Sequence, residues 1–87
     1  MEHASHPDIA KRLKRAHGHL AKVIEMIEAG RPCVDLAQQL HAVERAVTNA
    51  KTVLIHDHVD HCLAHAAVAP EDREAQLQEF RDITRYL

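Results

Sequence analysis

The sequence predicts an all-α chain of three helices, and three observations carry that expectation. Apolar residues recur at alternating spacings of four and three along most of the chain, the signature of one buried helical stripe. Gly occurs 2 times and Pro 3 times in 87 residues, so long stretches run without a helix breaker. Runs of β-branched residues are absent, and aromatic residues make up 2% of the chain, so any core is aliphatic. Residues 1–87 form one domain at most. A chain this short, built of slender helices, buries little surface alone, and association of copies is the expected remedy.

Residues 1–6, Met-Glu-His-Ala-Ser-His, read as a flexible arm carrying His3 and His6. Ser5 or His6 is expected to cap the first helix, since Pro7 suits a first turn and Ser5 with Asp8 resembles a capping box. Ile9, Leu13, Ala16, Leu20, Val23 and Ile27 then form a heptad-like stripe that Ala29-Gly30 ends, giving a helix over about 7–29. Arg31-Pro32 makes a tight connection, with Pro32 at the first position of the next helix. So short a link implies an antiparallel hairpin. Leu36, Leu40, Val43, Val47, Ala50 and Leu54 continue the rhythm, and the second helix is expected over about 32–67. After Val68-Ala69, Pro70, Glu71 and Asp72 open a third helix over about 70–86, with acids near the positive end of its dipole. Leu77, Phe80, Ile83 or Thr84, and Leu87 give it an apolar side. Internal repeats and low-complexity tracts are absent.

The chemistry concentrates in Ile55-His56-Asp57-His58-Val59-Asp60-His61-Cys62-Leu63-Ala64-His65, read with Cys33 upstream. His58 and Cys62 stand four apart, share a helix face and can grip one metal ion. Cys33 is the next soft donor, placed in the first turn of its helix. No Gly or Pro lies between Cys33 and Cys62, so on one helix Cys33 and His58 are separated by roughly 37 Å at 1.5 Å per residue. One protomer cannot close that site. Two copies packed antiparallel and crossing near Arg45 to Val47 would bring each Cys33 beside the partner's His58 and Cys62, giving two equivalent sites. An intrachain disulfide is excluded by the same rise, which sets the two cysteines ~44 Å apart.

His61 and His65, also four apart, form a second and weaker candidate pair, with Asp57 and Asp60 positioned to orient neighbouring imidazoles. His3 and His6 could fold over as further ligands. Two thiolates and one imidazole suit Cu(I); added histidines raise the coordination number and suit Ni(II), Co(II) or Zn(II). The 9 histidines tilt the expectation towards nickel or cobalt.

A formal net charge of −2 announces no nucleic-acid partner, so any such role must rest on a local patch. Lys11-Arg12-Leu13-Lys14-Arg15 is that patch, with Lys51 or Arg45 as extensions on the second helix. On charge alone a solvated helix face is the readier explanation. Repeated by symmetry, it could grip phosphate backbone, reading shape more than bases. Helix-turn-helix and zinc-finger signatures are missing. With no apolar leader and no run of membrane length, the chain reads as a soluble cytoplasmic protein.

Together, Arg12-Leu13-Lys14-Arg15-Ala16-His17-Gly18-His19-Leu20, Cys33-Val34-Asp35, Gln39, Ala42-Val43 and the His56–Cys62 run resemble the copper-sensitive operon repressor and nickel/cobalt-resistance repressor family, CsoR/RcnR-like, over about residues 8–87. The likeness is nearest to its NreA/DmeR nickel–cobalt branch. The resemblance implies an all-α homodimer that pairs into a dimer-of-dimers tetramer. It also implies a repressor whose apo form binds double-stranded operator DNA and whose metal-bound form releases it, opening metal-efflux genes. It carries the ligand pattern onto Cys33, His58 and Cys62, and the DNA contacts onto Arg12, with Lys14 and Arg15 alongside and Lys51 as a looser match. The copper branch has a tyrosine where Pro32 stands, which counts against copper. That branch's glutamate near the metal corresponds to Glu79 through a gapped alignment.

Other functions remain open on the residues alone. A metal carrier would need the same ligands without the cations of 11–15. A thiol or persulfide sensor would link Cys33 to the partner's Cys62 and leave His58 without purpose. An enzyme is not expected: Glu-x-x-His pairs of a di-iron bundle are missing, as is any nucleophile–base arrangement.

Overall fold

The computed structural model describes residues 5–64 and 70–87, without the side chains of 62–64, 70 and 71. His3, His65 and the expected helix end at Ala67 lie outside the described residues. Three helices follow in order: α1 (His6–Glu28), α2 (Cys33–Ala64) and α3 (Pro70–Thr84). No strand occurs among the described residues. The all-α expectation and the three elements are borne out, and the ends that fall on described residues differ from those expected by two residues at most.

Each end has a local cause. Ser5 occupies the N-cap position of α1, but its backbone is already helical, at φ −81° and ψ −15°, and its side chain makes no capping bond. The expected capping box does not form. Asp8 instead accepts from Arg12 Nε at 3.0 Å, one turn along the helix. At the other end Gly30, at φ 72°, takes the left-handed conformation that a side chain would strain. Its N–H reaches Ile27 O at 3.1 Å, and Arg31 N–H reaches Met26 O at 3.1 Å. These are the two bonds of a Schellman motif, which satisfies the last carbonyls of α1. Pro32 precedes α2 rather than opening it: its carbonyl accepts from Leu36 N–H at 3.1 Å, so Cys33 becomes the first helical residue.

α1 and α2 pack antiparallel, since Arg12 and Ala16 lie near Ala46 and Asn49 while His19 meets Gln39. The buried core is Ile9, Ala16 and Val23 from α1 with Val43, Ala50 and Ile55 from α2. Val23 is fully enclosed, at 0% exposure. The predicted stripes therefore split in two. Their alternate members Leu13, Leu20, Ile27, Leu40, Val47 and Leu54 remain exposed, Leu20 at 40% and Val47 at 46%. Among the described residues α3 rests on α2 and not on α1. Its expected apolar side is only partly used: Phe80 and Ile83 are half-buried, whereas Leu77 and Leu87 are exposed.

The protomer measures 59 × 23 × 14 Å. A helix with its side chains is about 10–12 Å across, so the chain is a plate one helix thick. α1 and α2 share one small core, and the other half of their apolar stripes stays on the surface of the plate.

Candidate metal centre and nucleic-acid-facing groove

Cys33 begins α2, with its thiol free and exposed. Arg31 Nη2 and Asp35 Oδ2 pair across it at 3.5 Å. His58 lies near the other end of the same helix, where its side chain is 14% exposed. Its Nε2 stands 4.0 Å from Glu79 Oε1 of α3, an ion pair when the imidazole is protonated. Glu79, reached in the sequence only by a gapped correspondence, is thus brought beside His58 by the fold. His61 is half-buried on α2, and His6 is exposed at the start of α1. Cys62 lies one turn beyond His58 in α2.

α2 is unbroken for 32 residues. At 1.5 Å per residue, roughly 37 Å separates Cys33 from His58. Among the described residues no group of three or more His, Cys, Asp or Glu could hold a metal ion within one protomer. The donor types suit a transition-metal ion, and a second copy would have to supply the missing partner. The uncovered half of the apolar stripe runs along the same two helices, which is where such a copy would sit. The residues fit the ion under that condition alone.

The basic patch resolves into a specific shape. Arg12, Arg15, Ala16 and His19 of α1 face Ala46 and Asn49 of α2 across an open groove of about 290 Å³. Small side chains at Ala16 and Ala46 leave this space, and the guanidinium-bearing Arg12 and Arg15 stand along it. Arg12 is tied to Asp8, with both side chains about half exposed. His19 donates from Nε2 to Gln39 Oε1 at 2.6 Å, a part-buried bond that joins α1 to α2. Lys11, Lys14 and Lys51 are exposed and do not line the groove.

Charge pointed to Lys11, Arg12, Lys14 and Arg15 alike, and of these only Arg12 and Arg15 line the groove. His19 was missed, although its place one turn after Arg15 and two after Arg12 puts it on their face. Asn49 had no signal in its own helix, because only the pairing of α1 with α2 brings it there.

No helix among the described residues is long and apolar enough to cross a membrane. Residues 5–86 match the sequence profile of a family described as metal-sensitive transcriptional repressor. The chain is 37% identical over 75 residues to the copper-sensing transcriptional repressor CsoR of Mycobacterium ulcerans (strain Agy99), covering 86% of this chain and 63% of that protein. It is equally 37% identical over 75 residues to the copper-sensing CsoR of Bacillus subtilis (strain 168), covering 86% of this chain and 73% of that one. The chain therefore spans less than two thirds of the length of the first of these relatives. Among solved structures, the nickel-responsive transcriptional regulator InrS superposes with a TM-score of 0.82 at 30% identity, over 100% of this chain and 98% of that one. Three helices and these likenesses agree: the chain belongs to the CsoR/RcnR family of metal-sensitive transcriptional repressors, and not to the enzymes.

Proposed function

We propose that residues 1–87 act as a single metal-sensing repressor domain in the cytoplasm, where thiols stay reduced. In its apo form it holds double-stranded operator DNA; loaded with Ni(II) or Co(II) it lets go, and metal-efflux genes are expressed. The observation that carries this reading is the unbroken α2, which sets Cys33 and His58 at opposite ends while one apolar face stays uncovered. Cys33 of one protomer, with His58 and Cys62 of its partner, would hold the ion in an antiparallel homodimer. Two such dimers would form the tetramer. His6 and His61 would be added nitrogen donors, with His3 and His65 nearby in sequence, and a larger nitrogen share favours nickel and cobalt over copper. Because both ligands bias one assembly, metal lowers operator affinity by the same factor that DNA lowers metal affinity.

A Cu(I)-sensing repressor is the second reading. It is favoured by Glu79 beside His58, at 4.0 Å, and by the copper-sensing names of the similar proteins. Pro32 in place of tyrosine weighs against it.

The test titrates reduced protein with Cu(I), Ni(II), Co(II) and Zn(II). Release from a duplex that the apo protein selects out of a random library is followed by fluorescence anisotropy. Ni(II) or Co(II) is expected to release it. His58→Ala is expected to abolish release and leave apo binding unchanged; full release from that variant would exclude the ligand set. Arg12→Ala with Arg15→Ala should lose the duplex, and unchanged binding would favour a metal carrier.

A further inference from the structure

We infer that Glu44 of one copy pairs with Lys51 of a second copy of this chain, twice about a two-fold axis, and that these ion pairs choose the register in which two α2 helices meet. The inference rests on the antiparallel pairing proposed above and names the side chains that select it. Glu44, Lys51 and His58 stand seven residues apart along the unbroken α2, about two helical turns each. They form one row on the helix, beside the exposed row of Leu40, Val47 and Leu54. A row that turns His58 towards the partner's Cys33 turns Glu44 and Lys51 towards the partner as well.

The register follows from the same counting. Glu44 lies eleven residues after Cys33, and Lys51 lies eleven before Cys62. Antiparallel helices that set Cys33 level with the partner's Cys62 therefore set Glu44 level with the partner's Lys51. Setting Cys33 level with the partner's His58 instead shifts the two charges by roughly 6 Å of rise, within the combined reach of a lysine and a glutamate. Both lie about one turn from a crossing at Val47, where two packed helices are nearest whatever angle they take. A parallel pair in register would instead set Glu44 against Glu44 and Lys51 against Lys51, so only the antiparallel arrangement joins opposite charges. Each residue is exposed, and neither has an ion-pair partner among the described residues of its own protomer. Their neighbours three and four residues away, Leu40, His41, Val47, Thr48, Leu54 and Ile55, include no Asp, Glu, Lys or Arg, so support of their own helix does not account for either charge. Charges flanking an apolar seam decide partner and orientation more than they add stability. Lys51, which stands away from the groove between α1 and α2, thereby gains a role apart from DNA.

The test uses the full-length reduced protein at about 50 mM salt, where exposed charges are weakly screened. Glu44→Lys sets like charges against each other at both contacts, and Lys51→Glu does the same with the opposite sign. Each variant alone is expected to associate roughly tenfold more weakly than wild type, read by sedimentation velocity. An equal mixture of the two should recover wild-type association as heterodimers, because each copy then meets the opposite charge; native mass spectrometry with one copy isotope-labelled counts them. The two substitutions in one chain should restore self-association and exclude the wild-type chain. All these differences should shrink towards about 1 M salt, as the screening length falls to about 3 Å. Circular dichroism confirms that each variant folds; should a single variant unfold, the doubly substituted chain still decides. Wild-type association of both single variants, or a mixture no tighter than its components, overturns the ion pairs and leaves the repressor reading standing. A wild-type chain that stays monomeric overturns the antiparallel pairing, and the ion pairs with it.

Discussion

At the scale of single residues, the chain keeps its most useful charge partly occupied. Arg12 Nε spends one donor on Asp8 at 3.0 Å, across a pair about half exposed to water. Such a pair contributes little to stability, so its more consequential effect is on what Arg12 is free to touch. Asp8→Asn removes an anion beside the groove and releases the guanidinium. It is expected to tighten duplex binding about two- to fivefold at low salt, and the gain should vanish near about 1 M salt as screening shortens to about 3 Å. Competition anisotropy on the two proteins checks both halves. Arg12 and Arg15 were legible in the sequence because charge is a property of the residue itself. Asn49 and the His19–Gln39 bond were not, because a neutral polar residue acquires meaning only from what the fold sets opposite it.

At the scale of elements, the heptad pattern located all three helices but did not say which neighbour each apolar residue would meet. Ile9, Ala16 and Val23 turn towards α2, while Leu13, Leu20 and Ile27 of the same stripe do not. An alternating four–three spacing marks a broad face, and one neighbouring helix covers about half of it. The two glycines of α1 and its end differ in the same contextual way. Gly30 needs its left-handed φ of 72°, so Gly30→Ala should cost about 1 kcal/mol. Gly18 sits mid-helix with nothing within 4 Å of an added Cβ. Gly18→Ala should therefore raise stability by about 0.5–1 kcal/mol, read from urea midpoints at unchanged m value. A loss instead would mean that Gly18 lies against another copy of the chain.

At the scale of the whole molecule, the plate only 14 Å thick is the feature that most constrains function. One layer cannot enclose the leucines and valines of its own stripes, and one continuous α2 cannot close its own donor set. Both are what the proposed second copy on the same face would supply. Val47→Glu places a charge on that face at a position 46% exposed in the protomer. Helix content should be retained and self-association weakened by more than about tenfold, since the carboxylate would be buried without a partner. Sedimentation velocity measures the association, and metal titration of the same samples should lose the Cys33-dependent binding in parallel. Wild-type assembly in this variant would move the interface elsewhere.

The amino-acid sequence by itself determined the helices, the antiparallel hairpin and the wide spacing of Cys33 from His58, because periodicity, breakers and rise per residue act along the chain. Only the tertiary structure decided which half of each apolar stripe is spent within the protomer. It alone also set Glu79 beside His58 and put Asn49 across from Arg12 and Arg15. These are contacts between helices, and they depend on the rotation and register with which one helix lies on another, which no spacing within a single helix encodes.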